Sequence, residues 1–160
     1  MATNSHRTER IESFAGIKQQ ILSARLRASC AVNREMLSLF WQIGREILAR
    51  ETTESREGQT VEELAVHLRH AFRGSICFAG TNLERMRAFA KAWPEFAAVE
   101  SVLMQLPWEH HLVLLSKLRT PKQRLAYAQH ALKGGWSSAT LALHIGRRTE
   151  RRIPGRSRSK

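Results

Sequence analysis

Apolar residues recur at three- and four-residue steps along most of this chain, a period that predicts helix after helix. No stretch alternates as a strand would. From residue 13 to 51 the steps run Ile17, Ile21, Leu22, Ala24, Ala28, Val32, Met36, Phe40, Ile43 and Ile47, with no proline among them. That is long for one globular helix, so the spacing predicts a core-forming helical pair with a break near Ser29 to Asn33 or a bend near Gly44. The polar segment Thr52 to Gln59 reads as a loop. A helix from Val61 to Phe72 then buries Val61, Leu64, Ala65, Leu68 and Phe72 and turns Glu62, Arg69 and His70 outward.

The connection from Arg73 to Gly80 carries an apolar centre, Ile76-Cys77-Phe78, expected to tuck into the core. The next helix, Thr81 to Lys91, is short and cationic. At 100° per residue its Leu83, Met86 and Ala90 share one face with Trp93, Arg85 and Ala88 lie opposite, and Asn82 and Arg87 flank the buried side. Both helices open on the spacing of a capping box, Thr60 with Glu63 and Thr81 with Glu84. Pro94 to Gln105 reads as a weaker apolar helix, and Pro107 restarts a stronger one. Thr120-Pro121 caps a helix from Lys122 to Lys133 that stops at Gly134-Gly135, and Trp136-Ser137-Ser138 opens the last, with Leu141, Leu143 and Ile145 as its apolar content. The pattern predicts an all-α fold: one compact helical domain over residues 13–146, between a flexible N-terminus at 1–12 and a basic, disordered tail at 147–160.

With 42% hydrophobic residues in 160, the chain has enough apolar content for a core. No run approaches the length of a transmembrane helix, and Met1 to Glu12 lacks the apolar run of a signal peptide, so a cytoplasmic, membrane-free protein is expected. Cys30 and Cys77 stand in apolar surroundings with neither CxxC spacing nor clustered histidines, a context for buried reduced thiols rather than a disulfide or a metal pair. His110 and His111 are adjacent, so their side chains diverge by about 100° on a helix and do not converge on a metal.

Charge changes the picture. The net charge is +12, and Arg147 to Lys160 holds half of it, seven basic residues against Glu150 alone. The folded part is therefore basic in its own right, a balance suited to a polyanionic partner such as nucleic acid. The chain also contains no Asp, and no Glu has Lys two residues on, so the convergent carboxylates of a divalent-metal nuclease are missing. No cofactor motif and no nucleophile beside a base is present.

Several stretches, in order, resemble the N-terminal domain of the YhcG-like nucleases. They are Ala31-Val32-Asn33-Arg34-Glu35-Met36-Leu37 leading to Phe40-Trp41-Gln42-Ile43-Gly44, Leu64-Ala65 through Phe72, and Phe78 followed by Asn82-Leu83-Glu84-Arg85-Met86-Arg87-Ala88-Phe89. Leu106-Pro107-Trp108-Glu109-His110-His111 with Leu114-Leu115, then Arg124, Tyr127 and Gly135-Trp136-Ser137 with Leu141 and Ile145, complete the set over residues 14–146. The resemblance implies a helix-turn-helix-like DNA-recognition domain that, in full-length relatives, targets an appended PDDEXK-type nuclease. Here Thr81 stands where relatives often have Arg, and Arg147 onward departs from the family's usual continuation.

The expectation is a non-enzymatic domain that binds double-stranded DNA. Arg85, with Asn82 and Arg87, would address the groove, while Lys91, Arg69, Arg73 and the tail residues Arg147, Arg148, Arg151 and Arg152 neutralise phosphates. A protein-interaction or homodimerisation module, partnering a nuclease or regulator in trans, is the alternative. RNA ranks lower, since no aromatic-rich loop offers a stacking platform.

Overall fold

The spine of the molecule is a single helix, α1 (Thr3–Glu54). The computed structural model describes residues 3–54, 59–73 and 76–150, with side chains described over 14–53, 61–73 and 77–147. The break expected within α1 does not occur. Nothing between Ser29 and Asn33 denies the backbone its hydrogen bonds, and Gly44 serves another purpose. A Cβ at Gly44 would collide with the Met86 carbonyl and stand 2.8 Å from Ala90 Cβ, so this glycine is where two helix backbones touch.

The second of those helices is α3 (Gly80–Ala92), reached from α1 through α2 (Gln59–Ala71) and a 3₁₀ turn, Ile76–Phe78. Phe40 and Ile47 of α1, Val61 and Ala65 of α2, and Leu83 and Met86 of α3 bury one another in a cluster where the three helices meet. Leu64, Leu68 and Phe78 pack against it from the side. Phe78 thus makes the expected inward tuck, while Cys77 stays exposed. Phe72, expected in the core, lies past the end of α2 and is 54% exposed, its ring set against Phe78 at 5.5 Å.

Both helices start earlier than the capping-box spacing predicts. α2 begins at Gln59, which puts Thr60 inside the first turn. α3 begins after Ala79, whose carbonyl accepts from the Asn82 and Leu83 amides, and no side chain caps it. Thr81 therefore sits two positions too far in.

Trp93 closes α3, and the chain then turns through a 3₁₀ segment, Phe96–Ala98, and a one-turn helix, α4 (Glu100–Leu103). The single helix expected over Pro94 to Gln105 is split because Val99 (φ −121°, ψ 0°) leaves helical geometry between them. Asn33 of α1 pins this region by donating to the Met104 and Leu106 carbonyls at 3.0 and 3.1 Å. Pro107 then precedes α5 (Trp108–Lys117) as its N-cap.

The last two helices follow the sequence closely. α6 (Pro121–Gly134) is capped by Thr120, whose Oγ1 accepts from the Gln123 amide, and ends at Gly135 in the left-handed region, φ 58°. α7 (Ser138–Glu150) is opened by Ser137, whose Oγ accepts from the Thr140 amide. Leu141 and Ile145 are buried, and Leu143 is exposed. These helices join α4 and α5 around a second cluster centred on Phe89, Trp93, Phe96 and Leu114.

The fold is thus all-α, one helical body, with no strand among the described residues. Both cysteines are exposed and free, which corrects their placement as buried thiols. Apolar sequence neighbours do not bury Cys30, because α1 from residue 14 to 32 is exposed throughout.

Candidate nucleic-acid interface

The polar residues of α3 divide into two sets. On the flanks of its buried stripe, Asn82 and Arg87 are both engaged internally. Asn82 donates through Nδ2 to the Cys77 carbonyl at 2.7 Å and accepts from Trp108 Nε1 at 3.3 Å, joining the 3₁₀ turn to α5. Arg87 donates through Nε to Glu51 and through Nη1 to Glu84, both at 2.9 Å. Glu51 is 7% exposed, so this pair locks α3 to the end of α1. The hydrogen bond to Glu84, then the charge of Glu51, raises the Arg87 pKa against the opposing effect of its partial burial.

On the outward face stand Thr81, Arg85, Ala88 and Lys91, all exposed. Neither Arg85 nor Lys91 makes a hydrogen bond or ion pair among the described residues. The small Ala88 between them leaves the helix backbone open to close approach. α3 is held for this from behind by rings: Phe89 meets Trp108 and His111 edge-on at 5.4 and 5.0 Å, and Trp41 Nε1 donates to the Trp93 carbonyl at 2.8 Å.

His111 beneath α3 is 1% exposed, with Nε2 at 3.1 Å from the Leu103 carbonyl and Nδ1 without a partner among the described residues. Burial drives its pKa from 6.5 down to about 4, despite the opposing pull of the Leu103 and Leu106 carbonyls. It is a neutral core residue. His110 points elsewhere, its Nε2 at 2.7 Å from the Trp136 carbonyl. Among the described residues no three His, Cys, Asp or Glu side chains gather where they could hold a metal ion.

Next to α3, α2 contributes an open depression lined by Val66, Arg69, His70 and Arg73. Arg69 turns its Nε back to the Ala65 carbonyl at 3.2 Å, and Arg73 is exposed with no ion pair among the described residues. Of the tail set, Arg147 is exposed on α7, and the Arg148 side chain, Arg151 and Arg152 lie outside the described residues. Sequence reasoning missed Arg45, whose guanidinium lies 5.6 Å from the centre of the Trp41 ring. Its i+4 spacing from Trp41 was the available signal.

Residues 16–152 match the family model described as the DUF1016 N-terminal domain. The chain belongs to that family. It is the one whose ordered motifs the sequence resembles, and the match is to an N-terminal domain and to no catalytic one. No curated protein and no solved structure matches the chain. In this DUF1016 N-terminal domain the residues that carry the resemblance serve the architecture: Asn33, Trp41, Asn82 and Trp108 make the cross-helix hydrogen bonds, and Gly44 the close contact. Arg124 belongs with them, its Nε donating to the Leu118 carbonyl at 3.1 Å and its pKa lowered by burial. Among the described residues no helix is long and apolar enough to cross a membrane.

Proposed function

We propose that this domain is a non-enzymatic module that binds duplex DNA through the outward face of α3. α2 and α3 act as a helix-turn-helix-like pair, longer in its connection than the simplest form of that motif. The observation that carries the reading is the division on α3. Its flanking polar residues are used up in holding the helix, while Arg85 and Lys91 project from a protein of net charge +12.

In this reading Arg85 reaches a base edge, Lys91, Arg69 and Arg73 neutralise phosphates, and the basic residues from Arg147 on extend the phosphate track. Asn82 and Arg87 set the pose of α3 rather than touch DNA. Targeting is the role in this reading: these 160 residues have neither Asp nor a Glu-x-Lys pair, so any cleavage would come from a nuclease that the domain partners. The setting is cytoplasmic and bacterial.

Titration with duplex DNA of enriched and scrambled sequence, at two salt concentrations, tests this. Arg85→Ala is expected to cost about 1–3 kcal/mol on the enriched site and much less on the scrambled one. An equal loss on both would contradict base contact, and wild-type binding of neither duplex would contradict the function.

A further inference from the structure

Helical spacing puts Phe72 in line with Val61, Ala65 and Leu68, yet its ring is 54% exposed. α2 ends at Ala71, so the ring is carried past the edge of the three-helix cluster. It rests on Phe78, with the two ring centres 5.5 Å apart and the planes tilted by 45°. Phe78 in turn packs against that cluster, and Asn82 holds the carbonyl of the neighbouring Cys77 at 2.7 Å. Phe72 thus sits on a fixed support with its outer surface open. Among the described residues the only other exposed Phe, Trp or Tyr ring is Phe14, out on the uncovered part of α1.

The surroundings of the ring are cationic. Arg69 lies one turn before it and Arg73 directly after, both exposed and without an ion pair among the described residues. No acid occurs from Leu64 to Leu83, and the next one, Glu84, is bound to Arg87. A partner that matches this patch presents a flat apolar face beside negative charge, as an unstacked nucleotide does. In a continuous duplex each base is covered by its neighbours, and an exposed ring meets only sugars and phosphates. Where a base has lost its neighbour, an aromatic side chain takes the vacated place.

On the reading that α3 meets duplex DNA, we infer that Phe72 stacks on an unpaired base at an interruption of that duplex, with Arg69 and Arg73 on the flanking phosphates. The substrate class is therefore duplex DNA that carries an unstacked nucleotide. Continuous duplex is held by the same cations without the stacking contact, so it binds more weakly. The preference resides in the connection between α2 and α3 and is independent of Arg85.

Fluorescence anisotropy with the full chain and three DNAs tests this: a continuous duplex, the same duplex with one unpaired adenine, and the adenine-bearing strand alone. The wild type is expected to bind the bulged duplex roughly 5- to 150-fold tighter than the continuous one, the range of a single base–aromatic stack. Phe72→Leu keeps an apolar contact with Phe78 but offers no aromatic face. It is expected to lose the preference while binding continuous duplex within about twofold of wild type, which also shows that the variant is folded. Phe72→Trp is expected to keep the preference, and Arg85→Ala to leave the ratio of the two duplexes unchanged. Equal wild-type affinity for both duplexes, or a preference undiminished in Phe72→Leu, would overturn the stacking and leave duplex binding standing. Tighter binding of the single strand than of the bulged duplex would overturn the substrate class. Binding of none of the three would remove the DNA reading of α3 and the stacking with it.

Discussion

The inner and outer sides of α3 use the same kinds of residue to different ends. Arg87 and Arg85 are two residues apart, yet one is clamped between Glu51 and Glu84 and the other makes no hydrogen bond or ion pair among the described residues. Asn82 bridges a turn and a tryptophan, whereas Lys91 is exposed. A cationic helix is therefore not a uniform cationic surface. Position around the axis decides which charge is structural and which is available to a ligand.

The contrast is most easily broken from inside. Gly44→Ala places a methyl group against backbone and Ala90, neither of which can rotate away, and is expected to cost about 3 kcal/mol despite the gain in helix propensity. Thermal denaturation reads it, and a variant as stable as wild type would mean that α1 and α3 do not touch there.

His111 is expected to contribute a comparable amount, and only in acid. Its folded pKa of about 4 lies below the ordinary 6.5, so as pH falls the unfolded chain takes up the proton first. Stability from its burial is complete above pH 6.5, declines between 6.5 and 4, and changes no further below that on this group's account. The loss amounts to about 3 kcal/mol. His111→Phe should flatten that part of the stability profile, and an unchanged slope would show that the ring is hydrated.

Arg87→Ala comes next, at about 2 kcal/mol, because it withdraws a charged partner from the buried Glu51. Chemical denaturation measures it, with a loss below about 0.5 kcal/mol placing Arg87 with the ordinary surface residues.

How far the sequence could be read follows the same division. The two sides of α3 were legible because Leu83, Met86 and Ala90 stand at helical spacing and 100° per residue fixes where Arg85 must point. Thr120 and Gly135 were legible because capping chemistry is local. Thr81 was not, since the helix began two residues early on the Ala79 carbonyl and left the hydroxyl nothing to cap. Periodicity also shows which residues are apolar without showing which are covered. Ile17 and Ile21 keep the same rhythm as Leu37 and Ile47, yet the first pair is about half exposed and the second is buried. For that reason the apolar neighbours of Cys30 leave it exposed, and the rhythm expected of a core-forming pair belongs to one long, half-covered helix. The candidate interface was half legible: Arg85 by geometry, but not the withdrawal of Arg87, whose partner Glu51 is thirty-six residues away.

If the outer side of α3 serves a ligand and the inner side serves the fold, Arg85→Ala separates the two. Its stability should match wild type within about 0.5 kcal/mol while affinity for the enriched duplex falls about 5- to 150-fold. Wild-type affinity in the variant, or a loss of binding matched by a loss of fold, would contradict the division.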